Sequence, residues 1–372
     1  MKFTIKKEDV LTVLSKVQGL TGRKSNLAIT ENVLLTTVEN GITLIATDLE
    51  TGMEGSYPAN IESTGAIAVN ARKLYEIIRD FPEDDICINE VENRWIEIGD
   101  DNVQYHLVGM NPEDFPENPH VETVEFFDVD AAFLKKMIEK SVMISAAVEE
   151  KRAHINGALL ERVSSDEMDG IRMVSTDGSR LSKIDYALGE DQEAVNFEKV
   201  LVPKKGLAEV AKFLSGEGVV RIGIQNNYFI VRRNTETIII RLLEGQFPQY
   251  GDIIRKKDAS VIALDRMRFL MMLKRMSILA SEHYRGTVFA FGDNRLTVRA
   301  TNPELGESKE YLSIAYEGAA IKPSFNPRFF IEVLNVIEDD QILLYIDDEE
   351  KPCVVEGQND KRYVCVIMPM RI

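Results

Sequence analysis

The sequence predicts an α+β protein made of three tandem copies of one domain, and two observations predict it. A short apolar strand that ends in a Thr-Asp or Thr-Asn turn recurs at Thr47, Thr176 and Thr301, at intervals of roughly one third of the 372-residue chain. The same features flank each turn in the same order. A repeat of this length is too long for a solenoid unit and indicates whole domains in series.

The turns alone do not establish the repeat, because Thr-Asp and Thr-Asn are ordinary turn chemistry. The flanking features decide it. A short strand, a candidate N-cap Asp and an apolar pattern of helical period precede each turn, and the caps are Asp9, Asp130 and Asp265. A second predicted helix follows each turn, starting at Asn70, Pro203 and Asn326. Three features found three times in one order predict a triplicated domain.

Each domain is predicted in outline as helix-strand-strand-helix-strand-strand, with hairpins. In the first domain the pattern predicts helices at 9–20 and 71–80, and strands through Leu35 and at 44–47, 86–98 and 103–108. Positions 93–94 and 99–102 are typical of hairpin turns. A Pro-rich segment at 111–119 breaks this pattern.

The second and third domains repeat the order with strands at 126–129 and 261–264, each followed by a predicted helix. Phe247-Pro248 near the end of the second domain echoes Phe115-Pro116 near the end of the first. A final strand at 363–367 precedes the tail. The predicted domains are therefore 1–122, 123–252 and 253–372.

The formal net charge is −17, from 44 basic and 61 acidic residues. This charge argues against a protein held to nucleic acid by net attraction. Acids cluster at predicted turns, as at 83–85 and 347–350, whereas bases cluster on predicted helices, as at 72–73, 204–205 and 274–275. A charged helix face is most often only a solvated face. Because basic helices occur in all three repeats, we favour a shared basic surface.

The chain has no apolar run near the roughly 20 residues that a membrane helix needs. Its first residues lack the apolar core of a signal peptide. Cys87, Cys353 and Cys365 are odd in number, far apart and each within an apolar strand pattern. We therefore expect buried free thiols and a cytoplasmic protein.

The sequence lacks the common signatures of catalysis. It has no Gly-rich phosphate loop of standard spacing and no strand-Gly-x-Ser-x-Gly-helix context for a nucleophile. The histidines form no metal-ligand pattern with the cysteines, and they are His106, His120, His154 and His283. The paired carboxylates lie in polar turns, where a solvated surface is the better interpretation. We expect a non-enzyme without a cofactor or a metal.

The tail Met368-Pro369-Met370 is apolar just after the last strand, where a terminus is normally polar. It either covers the core of its own domain or lines an exposed apolar groove that accepts partners. Composition alone does not decide between these two interpretations.

Motifs along the whole chain resemble the bacterial sliding clamps, the beta subunits of the replicative DNA polymerase III. The resemblance is carried by the opening residues 1–5, by 46–50, 71–73, 156–157, 176–181, 202–206, 247–248 and 302–304, and by the highly specific ending 366–372. It implies three tandem copies of the DNA-clamp fold. It also implies a head-to-tail dimer that closes into a ring, with helices inside and sheets outside.

The resemblance implies that the ring encircles duplex DNA, independent of sequence, and confers processivity without catalysis. Acidic outer surfaces then accompany basic helices that face the DNA. The implied DNA-facing residues are Arg23, Lys24, Arg72, Lys151, Arg152, Lys204 and Lys205. Ala153 and His154 stand where relatives often carry aromatic residues, so this DNA contact departs from the family pattern.

The resemblance also implies a groove that binds short, partly apolar peptides of the polymerase III alpha subunit, the clamp loader, other polymerases and repair proteins. Its implied lining is Ile155, Thr176, Gly178, Ser179, Arg180, Leu181, Pro248, Ile253, Val366, Met368, Pro369, Met370 and Arg371. Ser179 replaces a His of the family and Asp252 replaces an Arg, so the charge preference of the groove is expected to differ.

The implied dimer interface places one end of the chain against the other end of a second copy. Its residues are Lys73, Tyr105, Leu107, Ile278, Leu279 and Glu304. Two other functions stay open at this point. One is a monomeric triplicated adaptor that binds peptides without encircling DNA, and the other is a carboxylate-dependent hydrolase.

Overall fold

The computed structural model describes residues 1–21, 27–119, 124–144, 152–165, 168–189, 197, 199–214, 216–256, 259–279 and 286–370. Its helices are α1 (Lys7–Thr21), α2 (Ala71–Asp80), α3 (Ala131–Val142), α4 (Ala153–Asn156), α5 (Lys204–Phe213), α6 (Arg266–Met276) and α7 (Pro327–Val336). Short 3₁₀ turns lie at Ala28–Glu31, Glu92–Arg94, Pro112–Asp114 and Ser277–Leu279.

The strands are numbered in chain order. They are β1 (Lys2–Lys6), β2 (Asn32–Val38), β3 (Gly41–Thr47), β4 (Thr51–Pro58), β5 (Asn60–Ser63), β6 (Ala66–Asn70), β7 (Asp85–Glu90), β8 (Trp95–Gly99), β9 (Gln104–Met110), β10 (Phe126–Asp130), β11 (Gly157–Ser165), β12 (Met168–Thr176), β13 (Arg180–Ala187), β14 (Lys199–Pro203), β15 (Val219–Gln225), β16 (Tyr228–Arg233), β17 (Glu236–Arg241), β18 (Ser260–Asp265), β19 (Thr287–Gly292), β20 (Arg295–Asn302), β21 (Gly306–Ser313), β22 (Ser324–Phe325), β23 (Gln341–Ile346), β24 (Cys353–Gly357) and β25 (Tyr363–Ile367).

The chain forms two compact units. The first comprises Met1–Lys135, Glu190–Phe197 and Lys205–Leu243, and the second comprises Lys136–Gly189, Glu198–Lys204 and Glu244–Ile372. The first unit holds a 13-stranded sheet of order β10-β15-β16-β17-β4-β3-β2-β6-β9-β8-β7-β1-β5. The second holds an 8-stranded sheet, β14-β11-β12-β13-β25-β24-β23-β18, and a 4-stranded sheet, β21-β20-β19-β22.

The predicted central domain contributes to both units because its strands pair with its neighbours in sequence. Within the first unit, β17 pairs with β4 in antiparallel fashion. Within the second unit, β13 pairs with β25 in the same way. Backbone hydrogen bonds thus continue each sheet across a predicted domain boundary. Of these four strands the sequence analysis named only β25, at 363–367, and it predicted neither pairing.

The buried core follows the predicted helical periodicity. In the first unit, α1 packs against α2, and Val13, Val17, Leu74 and Ile78 are fully buried. In the second unit, α6 packs against α7 through aromatic rings, and the Phe269 and Phe330 rings lie edge to face at 6.0 Å. Each such aromatic pair adds about 1 kcal/mol beyond the burial of its area. Apolar contacts therefore hold the paired helices of each unit together.

Two of the three predicted Asp caps are present. Asp130 Oδ1 accepts from the Phe133 amide at 2.7 Å, and Asp265 Oδ1 accepts from the Arg268 amide at 2.7 Å. The prediction for Asp9 is wrong, because α1 begins earlier and Asp9 lies within its first turn. The Lys7 amide donates instead to the Asp84 carbonyl at 2.8 Å. Asp9 still favours this helix end, since a carboxylate complements the dipole there.

The second helices begin where the sequence predicts. Asn70 Oδ1 accepts from the Lys73 amide at 2.9 Å, and Asn326 Oδ1 accepts from the Arg328 amide at 3.1 Å. The outline missed the strand that runs directly into each of these helices, namely β6, β14 and β22. Such strands are short, and β22 has only 2 residues, so they carry little period-two signal.

The three cysteines are free thiols. Cys353 and Cys365 are buried as predicted, whereas Cys87 is only half-buried, so that part of the prediction is wrong. Cys87 lies on β7, where side chains alternate between the two faces of the sheet. Burial raises the pKa of the Cys365 thiol to about 12. That thiol is therefore protonated and unreactive in the folded chain.

Candidate functional site

The Thr-Asp turns of the first and second repeats share one hydrogen-bond pattern. Thr176 Oγ1 donates to the Arg180 carbonyl at 2.7 Å and accepts from the Gly178 amide at 3.0 Å. Thr47 Oγ1 makes the equivalent bonds, to the Thr51 carbonyl at 3.2 Å and from the Leu49 amide at 3.0 Å. The φ angles are 88° at Gly178 and 75° at Leu49. Local side-chain chemistry therefore builds the same rigid turn twice.

The Asp of each turn closes it from the other side. Asp177 Oδ1 accepts from the Ser179 and Arg180 amides at 2.9 and 3.0 Å. Asp48 Oδ1 accepts from the Glu50 and Thr51 amides at 3.1 and 2.8 Å. Strand β13 therefore leaves its turn in a fixed direction.

Arg180 is a buried cation that contacts two carboxylates and an aromatic ring. Its side chain is 5% exposed, and its Nε donates to Asp177 Oδ2 at 3.0 Å. An Nη1 hydrogen bond reaches Glu332 on α7, and the guanidinium carbon lies 4.4 Å from the centre of the Phe329 ring. Arg180 thus ties the turn to α7 and also lines the neighbouring cavity.

Lys204 also holds this turn, which corrects its predicted role as a DNA-facing residue. Its side chain is buried, and its Nζ donates to the Thr176 carbonyl at 3.1 Å. Burial lowers the pKa of the Lys204 ammonium to about 8, against a smaller opposing effect of Asp177. A buried ammonium held by a backbone carbonyl is not available to a phosphate. Lys204 therefore does not face DNA.

One cavity of about 160 Å³ in the second unit collects most of the predicted groove residues. Its predicted members are Ile155, Thr176, Gly178, Arg180, Leu181, Pro248, Ile253, Val366 and Met368. Ile155, Leu181 and Val366 are buried and form an apolar floor, while Ile253 and Met368 are exposed at the rim. The cavity is therefore an open apolar cleft with a rigid turn on one side.

The C-terminal tail continues from this cavity. The Met368 amide donates to the Ser179 carbonyl at 2.9 Å, and the Met370 amide donates to the Ser324 carbonyl at 2.7 Å. Ser179, Pro369 and Met370 do not line the cavity itself but extend its surface along this bonded tail. Arg371 lies outside the described residues. Of the two interpretations of the tail, the exposed methionine side chains favour a groove wall over a core cover.

The cavity also contains three residues that were not assigned to it from the sequence, namely Arg152, His154 and Tyr250. The Tyr250 hydroxyl donates to the Glu161 carboxylate and accepts from Arg172 Nη1 at 3.4 Å. Burial, together with Glu161, raises the pKa of Tyr250 to about 12. The aromatic spacing Phe247-x-x-Tyr250, which the sequence analysis did not use, is a signal that could have pointed to this residue, since the two rings lie edge to face at 6.1 Å.

A second cavity of about 570 Å³ shares Pro248 and Tyr250 with the first. Its remaining lining includes Glu161, Lys199 and the segment 245–251. It is larger and more polar, and its lining includes residues of β14, a terminal strand of the 8-stranded sheet. The smaller cavity is the better candidate for an apolar ligand, since its exposed lining is mostly apolar.

The predicted DNA-facing residues that the structure describes differ in their surroundings. Arg72 is exposed and its Nε donates to Glu76 at 3.0 Å, while Lys205 Nζ lies 2.6 Å from Asp48 and 3.4 Å from Glu50. Arg152 lines the apolar cavity. Arg23, Lys24 and Lys151 lie outside the described residues. Of these predicted DNA contacts, Arg72 has a side chain that is 74% exposed.

The predicted interface residues lie at exposed strand and helix ends in the two units. In the first unit, Tyr105 is exposed and Leu107 half-buried on β9, and Lys73 bonds Glu76 at 2.8 Å. In the second unit, Ile278 is 75% exposed. The Leu279 carbonyl accepts from Asn302 Nδ2 at 3.0 Å, and Glu304 is exposed beside the third turn. Contiguous exposed apolar side chains are typical of contact surfaces, and the assignment of these residues to a dimer interface stays a prediction.

Within the described part of the chain, no helix is long and apolar enough to cross a membrane. The same residues contain no group of three or more His, Cys, Asp or Glu side chains arranged to hold a metal ion.

Comparison with known proteins extends these observations over the whole chain. Residues 1–119, 128–249 and 252–371 match the N-terminal, central and C-terminal domain models of the DNA polymerase III beta subunit. The beta sliding clamp of Pseudomonas putida is 31% identical over 100% of both chains. The solved structure of the DNA polymerase III subunit beta from Pseudomonas aeruginosa is 28% identical, with full coverage of both chains and a TM-score of 0.91. A DnaN sliding clamp from Bartonella birtlesii, bound to griselimycin, is 25% identical, also with full coverage of both chains, and has a TM-score of 0.93. With three successive domain models matched and a full-length relative above 30% identity, the chain belongs to the DNA polymerase III beta subunit family, the beta sliding clamps.

Proposed function

We propose that two copies of this sliding clamp close head to tail into a ring around duplex DNA and tether the replicative polymerase to it. The observation that supports the ring best is a pair of strand edges. β21 is the terminal strand of the 4-stranded sheet, and β9 pairs with β6 only at Gly109 and Met110. Each edge carries exposed apolar residues, including Tyr311 on β21 and Tyr105 and Val108 on β9. Open edges of this kind invite pairing with another chain.

The ring explains how a chain of net charge −17 works on DNA. Encirclement holds the clamp by topology, so phosphate contacts need only position the duplex. Arg72 is the described residue that fits such a contact, together with the predicted residues Arg23, Lys24 and Lys151. The acidic remainder of the surface limits non-specific adhesion to nucleic acid.

The apolar cavity is proposed as the peptide groove. A short, partly apolar segment of the polymerase III alpha subunit, the clamp loader, another polymerase or a repair protein inserts side chains onto Ile155, Leu181 and Val366. Pro248 then forms a rigid wall, and the flexible Met368 side chain adjusts to different peptides. Arg72 does not line the apolar cavity, so in this proposal one clamp holds the duplex and a peptide together.

The test of this function uses retention on DNA. The clamp is loaded by its cognate clamp loader with ATP onto a nicked circle in moderate salt, and the circle is then cut once. We expect the clamp to stay on the circles and to leave once they are linear, since a linear duplex has free ends. Equal loss from circles and linear DNA, with a loader of proven activity, would show that binding is only electrostatic. A peptide-binding adaptor would then be the better function.

A further inference from the structure

We infer the register in which two copies of the chain join: Glu307 on β21 of one copy lies opposite His106 on β9 of the other. This inference rests on the proposed ring and deepens it. The chain contains two internal junctions between successive repeats, and the third repeat ends in an open edge. The two internal junctions therefore supply the geometry of the missing third one.

The first internal junction joins β4 to β17. The turn residue Thr47 pairs with Gly52 on the next strand, and Gly52 pairs with Ile239 across the junction. The second internal junction joins β13 to β25. Here Thr176 pairs with Leu181, and Leu181 pairs with Val366. In each case the residue opposite the turn Thr selects one position on the last strand of the following repeat.

Ile239 and Val366 occupy the same position in their repeats. In the second repeat the helix cap Asp130 pairs with Val219 on β15. Further along β15, Gly223 pairs with Ile230 on β16, and Ile230 pairs in turn with Ile239 on β17. In the third repeat Asp265 pairs with Gln341 on β23. Tyr345, which lies the same distance along β23, pairs with Val354 on β24, and Val354 pairs in turn with Val366 on β25. The two internal junctions therefore have one register.

The same rule applied to the open edges selects one pair. In the first repeat Lys6, the residue before α1, pairs with Asp85. Asn89 lies the same distance along β7 and pairs with Glu97 on β8, and Glu97 pairs in turn with His106 on β9. In the third repeat Thr301 pairs with Glu307. Glu307 thus takes the position of Gly52 and Leu181, and His106 takes the position of Ile239 and Val366.

The side-chain faces agree with this register. On β8, Ile96 and Ile98 are fully buried on either side of Glu97, so Glu97 and its partner His106 lie on the outer face. On β20, Ala300 and Asn302 are buried on either side of Thr301, so Glu307 also lies on the outer face. A slip by one residue would place Glu307 opposite an inner-face residue of β9. Only registers that pair outer-face residues of β21 with outer-face residues of β9 keep the buried faces of both sheets on the same side.

This register gives the seam a charged row and an apolar row on its outer face. His106 Nε2 already lies 3.2 Å from Glu97 Oε2, and Glu307 of the second copy places another carboxylate beside the imidazole. In the next outer row, Leu305 approaches Val108 and its cross-strand partner Trp95, which are 64%, 61% and 42% exposed in the single chain. The register thus accounts for three large apolar side chains that one copy leaves in solvent.

The test is cross-linking of the full-length protein with Cys87→Ser as the background. Directly opposite residues of an antiparallel pair have Cα atoms about 4.5–5.5 Å apart, within the range of a disulfide. We expect His106→Cys/Glu307→Cys to form a covalent dimer on mild oxidation. The matched controls Gln104→Cys/Glu307→Cys and Val108→Cys/Glu307→Cys place the thiols on the same face but one step out of register, and they should not cross-link.

The native mass measured before oxidation distinguishes a failure of the proposed register from a failure of the proposed ring. If the variant His106→Cys/Glu307→Cys is itself monomeric, the pair Gln104→Cys/Lys309→Cys tests the same register and keeps both original side chains. Dimers that cross-link only through an out-of-register control would overturn the register and leave the ring intact. A wild-type chain that is monomeric in native mass and yields no cross-link with any pair would overturn the ring and the register together.

Discussion

The Lys204 ammonium donates to the Thr176 carbonyl oxygen at 3.1 Å from a side chain that is almost fully buried. The contact joins the first residue of α5 to the turn that forms one side of the apolar cavity. Its partner is a neutral carbonyl and not a carboxylate, so the charge of Lys204 is desolvated without a full counter-charge. A basic residue that looks like a DNA contact in the sequence is therefore part of the groove support.

This burial predicts a specific pH dependence for Lys204→Met. Burial lowers the pKa of Lys204 from its ordinary 10.5 to about 8, so between these values the unfolded chain binds more protons than the folded chain. The free energy of unfolding contributed by Lys204 therefore rises with pH across that window and is lost as pH falls through 8. From pH 7 to pH 10, wild type should gain about 2 kcal/mol over Lys204→Met in denaturant unfolding.

Lys205→Met is the matched control, because Lys205 is the next residue of α5 and bonds Asp48 at a more exposed position. The difference between wild type and Lys205→Met should not grow in the same way. A difference for Lys204→Met that stays constant from pH 7 to pH 10 would contradict the buried, desolvated ammonium.

Arg180→Met should destabilise the second unit by about 3 kcal/mol, because it leaves Asp177 and Glu332 without their shared cation. The double variant Arg180→Met/Glu332→Gln should recover part of this loss, since one of the two carboxylates is then neutral. Thermal and denaturant unfolding of the single and double variants measure this effect. Equal stability of Arg180→Met and wild type would show that the ion pairs contribute nothing.

Met368→Glu should weaken peptide binding while leaving the dimer unchanged. The substitution places a carboxylate at the rim of an apolar cavity, where a bound peptide would desolvate it. Affinity for a labelled peptide from the cognate polymerase III alpha subunit should fall at least about tenfold, which is 1.4 kcal/mol or more. Fluorescence anisotropy measures the affinity, and native mass measures the dimer.

Val261→Glu is the control for this measurement, because Val261 is 52% exposed on β18 and does not line the cavity. It should bind the peptide as wild type does. If Met368→Glu also binds with unchanged affinity, the cavity is not the peptide site.

Local chemistry was readable from the sequence, whereas long-range placement was not. Membership of the beta subunit family confirms the triplicated α+β fold and the non-catalytic sliding clamp. The turns at Thr47 and Thr176 were predictable because their own side chains make the hydrogen bonds that shape them. The caps at Asp130 and Asp265 were predictable for the same reason. The domain boundaries at 122 and 252 stay predictions.

The errors come from contacts between segments far apart in the chain. A basic residue at a helix start is usually solvated. Nothing near Lys204 in the sequence indicates that its ammonium donates to the Thr176 carbonyl. The Tyr250 hydroxyl is held by Glu161 and Arg172, and both residues lie far from Tyr250 in the sequence. The cavity residues were named by resemblance to a family and not by spacing, since four separate segments supply them. Their role in peptide binding stays a prediction.

Thiol reactivity should distinguish the three cysteines. Cys353 and Cys365 are buried, and burial raises the pKa of both thiols, so they should resist a thiol reagent in the folded chain. Only the half-buried Cys87 should react, and Cys87→Ser should abolish that reaction. All three thiols should react in denaturant. Rapid native reaction of more than one thiol would contradict the buried positions on β24 and β25.

Ile278→Asp should convert the dimer to folded monomers. Ile278 is 75% exposed in the single chain, and the proposed ring buries it against Tyr105 and Leu107 of the second copy. A carboxylate at that apolar seam would lose its water without gaining a partner, which costs several kcal/mol at each of the two seams. Native mass should show monomers, circular dichroism should show an unchanged fold, and the variant should not be retained on circular DNA.

Val219→Asp is the matched control, because Val219 is 60% exposed on β15 and belongs to neither proposed edge. It introduces the same charge at a similarly exposed branched apolar residue and should remain dimeric. If Ile278→Asp and Val219→Asp both keep the dimeric mass, Ile278 is not at the seam. If both become monomeric, added negative charge on an already acidic chain is sufficient to separate the copies, and the assignment of Ile278 loses its support.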